Sequence, residues 1–178
     1  PAFRALKASR RAAEALEVGV TTLRNVGGGD FFDVAIKNAV EKGMLNGPRV
    51  VCCGWTVMAH GGHGSQDYGA IECSGPYEFA KNARLNLIAG CDQIKVGMTG
   101  GLEGAHEGLC DRQVTNEEIE AVIWVAHNAG KKVAAHLSDD QTIYDAVYRG
   151  LDSVEHGYAM QERTIKLLME KGAYYTPT

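Results

Sequence analysis

The sequence has no surplus of basic residues, no long apolar run and no paired-cysteine spacing, and each absence closes off a class of protein. Its 22 acidic and 18 basic residues leave a formal net charge of −4 with the histidines neutral. A nucleic-acid binder would carry a basic excess or a basic stripe. No stretch approaches the roughly 20 consecutive apolar residues that a membrane helix requires. Neither nucleic acid nor membrane is therefore an expected partner. The five cysteines, at 52, 53, 73, 91 and 110, show neither a disulfide-scaffold nor a CxxC spacing. Reduced thiols and a cytoplasmic location are the expectation, with Cys52, Cys53 and Cys91 acting as small core residues in or beside apolar runs. No signal or transit peptide is recognisable, and a chain that opens at Pro1 rather than Met suggests sequence upstream. Hydrophobic residues at 45% and charged residues at 22% exclude a disordered chain.

What is abundant is glycine, 22 of 178 residues, and its placement is ordered. Six times an amphipathic stretch ends in a glycine and a β-rich run follows. The glycines are Gly19, Gly43, Gly90, Gly130, Gly150 and Gly172, and the runs are 20–28, 49–59, 91–101, 131–139, 151–157 and 173–178. A glycine just past a helix accepts the left-handed conformation that closes its last turn. Between the runs, Phe32, Ala35, Ile36, Ala39 and Val40 form one apolar helical face, and Ile119, Val122, Ile123 and Ala126 another. Thr115 to Glu118 reads as a capping box opening the second of these. Strands alternating with helices imply a parallel sheet. Length alone favours a doubly wound open sheet, since a (β/α)8 barrel typically takes about 250 residues.

The polar residues argue for the barrel. In parallel α/β proteins, ligands bind at the C-terminal ends of the strands. The run 49–59 leads into His60 and His63 in a glycine turn, and the run 91–101 carries Lys95. The run 131–139 holds His136, and the run 151–157 ends at Glu155 and His156. Alternation puts Lys95 on one side with Gln93 and Gly97, against Ile94, Val96 and Met98 on the other. A buried ammonium there needs a partner, a shifted pKa or a covalent change. Two histidines on successive strands can converge on one metal ion, or they can be hydrogen-bonded core residues beside a structural lysine–carboxylate pair. His106 and His127 are expected in solvent, and Trp55 and Trp124 as packing residues.

Five segments, GVTTLRNVGG (19–28), AHGGHG (59–64), DQIKVGMTGG (92–101), VAAHLSDD (133–140) and DSVEHGYAM (152–160), together resemble the amidohydrolase superfamily. Within it they are most similar to the imidazolonepropionase-like and Xaa-Pro dipeptidase-like branch. The resemblance implies a partial (β/α)8 TIM barrel: one incomplete catalytic domain over 1–178, holding strands two to seven and lacking strands one and eight. It implies a metal-dependent hydrolase of amide or peptide bonds, acting on a small molecule or dipeptide through a metal-bridging hydroxide, with zinc as the divalent metal. Lys95 matches the lysine that is carboxylated to bridge two metals, and His136 and His156 match metal-binding histidines. His63 and Tyr158 match positions that hold the substrate's terminal carboxylate, while Asn25 is assigned a structural role.

The departures are an HxH metal pair before the first run and an aspartate at the eighth strand, both absent; Asp139 and Asp140 stand on the wrong strand to replace it. No catalytic residue is therefore assigned. The chain is expected to be a poor enzyme alone, holding a single ion with Lys95 left as a plain amine. Open sheet edges predict a homo-oligomer. Two alternatives remain: an imidazolonepropionase-type cyclic amide hydrolase, and a noncatalytic α/β domain binding a small anion. No GxGxxG or P-loop pattern supports a nucleotide version of the latter.

Overall fold

The computed structural model describes residues 2–65, 69–102 and 107–178. The described residues form six helices and eight strands, alternating except where β2, β3 and β4 follow one another: α1 Ala2–Glu17, β1 Thr22–Arg24, α2 Phe32–Glu41, β2 Arg49–Val51, β3 Thr56–Ala59, β4 Ala70–Cys73, α3 Pro76–Ile88, β5 Gln93–Gly97, α4 Asn116–Asn128, β6 Lys132–Leu137, α5 Asp140–Tyr148, β7 Ser153–His156, α6 Glu162–Lys171 and β8 Tyr174–Thr176. All ladders between named strands are parallel. β1 pairs with β2, and six strands follow in the order β4-β3-β5-β6-β7-β8. The two sheets join where the amides of Asp92 and Gln93 donate to the Cys52 carbonyl, at 2.9 and 3.2 Å. The result is an α/β arc of barrel wall, and among the described residues it does not close. None of its helices is long and apolar enough to cross a membrane.

Local chemistry explains most of these elements. All six glycines that end the amphipathic stretches have positive φ. Thr115 and Glu118 form the reciprocal capping box, satisfying two amides that the first turn of a helix leaves unpaired. Asp139 caps α5 by accepting from the Thr142 amide and hydroxyl, while Asp140 is held by Arg163 and the Gln161 amide. Both acids are thereby committed to the scaffold.

Three expectations need correction. The run 49–59 is two strands rather than one, because Gly54 turns the chain at φ +66°. A Cβ at that position would stand 2.8 Å from both the Asn86 side-chain oxygen and the Cys91 sulfur. The short strand β4 pairs along the outer side of β3 and carries no alternation that would announce it. On α2 the buried residues are Asp33, Val34 and Ile36, with Ala35 exposed. Polar Asp33 is inside because its carboxylate accepts from the amides of Cys53 and Gly54, both at 2.9 Å, and from Asn25 Nδ2 at 3.0 Å. Asn25, expected to be structural, joins this clamp and also lines a concave cavity. Trp55 packs edge-on against Phe31, but Trp124 lies exposed on α4 beside Arg84. His127 is also exposed on α4, paired to Asp152, and His106 lies outside the described residues.

Strand β5 is buried along its whole length. Ile94, Val96 and Met98 meet Ile119 and Val122 of α4 and Phe79 of α3 in the main core. That leaves Gln93, Lys95 and Gly97 facing the concave side. The clamp at Asp33 holds the β2–β3 turn against α2, so Asp33→Ala strands two buried amides. It should lower unfolding free energy by about 2–4 kcal/mol, read from the denaturant midpoint at unchanged slope. A loss below about 0.5 kcal/mol, the range of a neutral surface change, would contradict the clamp.

Candidate functional site

The concave side of the arc is polar because parallel strands aim their C-terminal ends at one region. Arg24, ending β1, reaches Glu155 on β7 through two hydrogen bonds, Nη1 to Oε1 at 2.8 Å and Nη2 to Oε2 at 2.7 Å. Ser153 donates a further bond to Glu155 Oε1 at 2.5 Å. Burial pushes the Glu155 carboxyl upward, but the Arg24 bonds outweigh it and hold the group below the usual carboxylate range. Lys95 lies within the influence of this pair. Its Nζ donates to the Val26 carbonyl at 3.2 Å, and it forms no ion pair among the described residues. Burial drives its pKa down, opposed by the charge of Glu155. The amine is thus biased toward its neutral, nucleophilic form.

Three imidazoles gather beside it. His63 stacks on His136 with ring centroids 4.4 Å apart, and His136 meets His156 edge to face at 4.7 Å. Burial, resisted by a hydrogen bond to Gly100 and reinforced by His63, His156 and Lys95, lowers the His136 pKa to about 4. His136 is therefore neutral at pH 7. Its Nε2–H donates to the Gly100 carbonyl at 3.0 Å, which leaves the Nδ1 lone pair free. Burial also lowers His156, helped by Lys95. Its Nδ1 is engaged by the Thr178 hydroxyl, which the Tyr158 hydroxyl meets at 3.2 Å, and among the described residues Nε2 has no hydrogen-bond partner. His156 holds φ +76°, a backbone strain of about 1–3 kcal/mol that tends to persist at functional sites.

His63 is positioned from behind. Its Nδ1–H donates to Glu107 Oε1 at 2.6 Å, and Gln113 Nε2 donates to Glu107 Oε2 at 2.7 Å. The Gln113 side-chain oxygen in turn accepts from the His63 amide at 2.9 Å. Burial raises the Glu107 carboxyl, but the bonds from His63 and Gln113 bring it below its ordinary value. Gly101 must be glycine, since a Cβ there would overlap the His63 ring. His60, by contrast, is exposed and stands 3.5 Å from Glu72.

Lys95, His136, His156, His63 and Tyr158 thus fall in one neighbourhood. Lys95, His63, His136 and Arg24 line a cavity of about 980 Å³ that extends to α1. Among the described residues, no three His, Cys, Asp or Glu side chains are arranged as a complete metal site. What is present is a pair of neutral imidazoles beside a buried amine. Sequence reasoning did not single out Arg24, Glu107 and Gln113, or the pairing of Glu155. Glu155 beside His156 was visible, but partners 131 positions away in the chain leave no local spacing.

Breaking the Arg24–Glu155 pair leaves a charge buried without its partner. Arg24→Met should cost on the order of 3 kcal/mol at pH 7, measured by chemical denaturation. The depressed Glu155 pKa stabilises the fold above the unfolded-state value of about 4.3, and that contribution disappears as pH falls through the folded value. Glu155→Gln should therefore flatten the pH dependence of stability below about pH 4.3. Parallel acid-unfolding curves for the two proteins would refute this.

The comparisons with known proteins agree with this geometry. The sequence profile of the amidohydrolase family matches residues 1–178. A Xaa-Pro dipeptidase solved with methionine in its active site superposes with a TM-score of 0.90 at 31% identity, over 97% of this chain and 46% of that one. A prolidase complexed with N-methylphosphonate-L-proline gives 0.91 at 28% identity, over 99% of this chain and 46% of that one. Among curated proteins, ochratoxinase of Aspergillus niger is 25% identical over 201 aligned positions, covering all of this chain and 41% of the relative. The chain thus spans about two-fifths of the length of that relative. With a profile match end to end, the chain belongs to the amidohydrolase family.

Proposed function

We propose that this chain forms the larger part of the active-site wall of a metal-dependent hydrolase cleaving amide or peptide bonds, of the Xaa-Pro dipeptidase type. The observation that carries the reading is the meeting of Lys95, His136 and His156 on three adjacent parallel strands. The donor set fits a divalent metal, zinc above the harder ions, because neutral imidazole nitrogens suit it. His136 Nδ1 and His156 Nε2 are the atoms that would hold it. A metal so held polarises a scissile carbonyl and lowers the pKa of an attacking water.

The other residues act on the ligand and on charge. Lys95, buried and biased toward the free amine, is suited to attack CO2. A nitrogen–carbon bond forms, one proton leaves, and the resulting carbamate is an anionic oxygen ligand where an ammonium would be unfavourable. In this chain alone Lys95 stays an amine and one ion is bound. His63, anchored through Nδ1 by Glu107, keeps Nε2 for a substrate carboxylate. The Tyr158 hydroxyl, beside His156, is the second such contact. A small amide or dipeptide fits the cavity. The exposed edges of β4, β8 and β1 favour association of copies into a homo-oligomer, which sedimentation velocity would detect as a dimer or larger species.

Equilibrium dialysis against zinc, with metal counted by mass spectrometry, tests the site directly. One ion per chain is expected, with affinity reduced by more than about tenfold in His136→Asn. In the full-length gene product, Xaa-Pro dipeptide turnover should require zinc and be lost in Lys95→Ala. Unchanged zinc binding in His136→Asn, or full turnover in Lys95→Ala, overturns the assignment.

A further inference from the structure

A second reactive cluster lies away from the histidines, where the two sheets join. Cys52 follows β2 and Cys91 precedes β5. Both are buried, in a small core of their own with Ala12, Val34, Ile36 and Val50. Cys52 Sγ lies 3.8 Å from the Gly90 carbonyl and 3.3 Å from Asp92 Oδ2, the residues on either side of Cys91. The backbone holds the two cysteines together, since the amides of Asp92 and Gln93 both donate to the Cys52 carbonyl. Gly54 leaves room for the Cys91 sulfur, which stands 2.8 Å from where a Cβ would be. Asp92 is ion-paired to Lys37 at 2.6 Å. That ion pair is partly exposed and lies beside the Cys52 sulfur.

The two thiols are not equivalent. The neighbouring Cys91 thiol lowers the Cys52 pKa against the opposing effects of burial and Asp92. The Cys52 thiol, with burial, pushes Cys91 upward. Cys52 is thus the readier thiolate and Cys91 the sulfur beside it, the arrangement of an attacking and a resolving cysteine. The remaining thiols lack such a partner. Cys53 is pushed up to about 12 by burial and the charge of Asp33, and Cys73 to about 11 by burial, against a hydrogen bond from Asn82. Cys110 is exposed.

We propose that Cys52 and Cys91 are an oxidisable dithiol that a hydroperoxide closes into a disulfide, stapling the end of β2 to the start of β5. The Cys52 thiolate attacks one peroxide oxygen. The O–O bond breaks, the departing hydroxide takes a proton, and a sulfenic acid and one water result. The Cys91 sulfur then attacks the Cys52 sulfur, the S–O bond breaks, and the hydroxyl leaves with the Cys91 proton as a second water. Two thiols supply two electrons and two protons to one hydrogen peroxide. The staple covalently reinforces the Cys52 junction from which β5 carries Lys95 toward the site. It stands independently of the hydrolase reading.

The test uses the Cys110→Ser chain, to remove the exposed thiol, treated with hydrogen peroxide and then denatured and digested with trypsin. Free thiols should fall from four to two per chain. Fragments 50–81 and 85–95 should be recovered as one species that dithiothreitol separates. The link should persist in Cys53→Ser and Cys73→Ser and vanish in Cys52→Ser and in Cys91→Ser. The oxidised protein should melt several degrees higher than the reduced one. Because the linked fragments are read from a chain with both cysteines intact, a misfolded serine variant does not spare the idea. Thiols that resist peroxide, thiols consumed without the 50–81 to 85–95 link, or a link surviving in Cys52→Ser would each overturn it.

Discussion

A guanidinium reaching across the concave face to a buried carboxylate holds this arc to its curvature. Arg24 stands on the first strand and Glu155 on the seventh, and their two parallel hydrogen bonds join segments that no sheet ladder connects. A bidentate arginine–carboxylate contact fixes orientation as well as distance, so β1 must face β7 across the interior. The same pair sets the electrostatics at the centre. Glu155 draws a positive charge toward Lys95, while Arg24 and burial repel it. The lowered Lys95 pKa follows from the balance.

Around that chord, the site is assembled by strand direction. β5, β6 and β7 run parallel in adjacent register, with Lys95 opposite Ala134 and Gly97 opposite His136, and Leu137 opposite His156. The two histidines therefore sit near the same height of the wall and their rings meet. The supporting groups then decide which ring nitrogen is free. Gly100 takes the Nε2 proton of His136, Thr178 engages Nδ1 of His156, and Glu107 takes the Nδ1 proton of His63. Among the described residues, each ring keeps one nitrogen without a hydrogen-bond partner. The cysteine junction sits at the opposite end of β5, where the Cys52 carbonyl accepts from the Asp92 and Gln93 amides and Asp92 Oδ2 accepts from the Cys52 amide at 3.1 Å.

Much of this was legible along the chain. Local signals carried the glycine stops, the Thr115 box and the α4 face, because each depends on residues within one or two helical turns. The alternation in β5 was equally readable, and it placed Lys95 inward against Ile94 and Val96. Where two demands met, the reading failed. The run 49–59 is apolar enough for one strand, yet Gly54 turns it because Asn86 and Cys91 pack against that backbone. On α2, Asp33 is buried against the helical pattern because amides on another segment need an acceptor. Both exceptions arise from residues distant in sequence.

The sequence by itself determined the alternation of helix and parallel strand, the inward placement of Lys95 within its strand, the strand-end placement of His136 and His156, and the ordered motifs that carry the family. These are properties of period, cap and position, which short stretches encode. Only the tertiary structure decided that Arg24 answers Glu155, that Glu107 and Gln113 stand behind His63, and that Cys52 meets Cys91. Such pairings link segments that are far apart in the chain, and only the curvature of the wall brings their side chains within bonding distance.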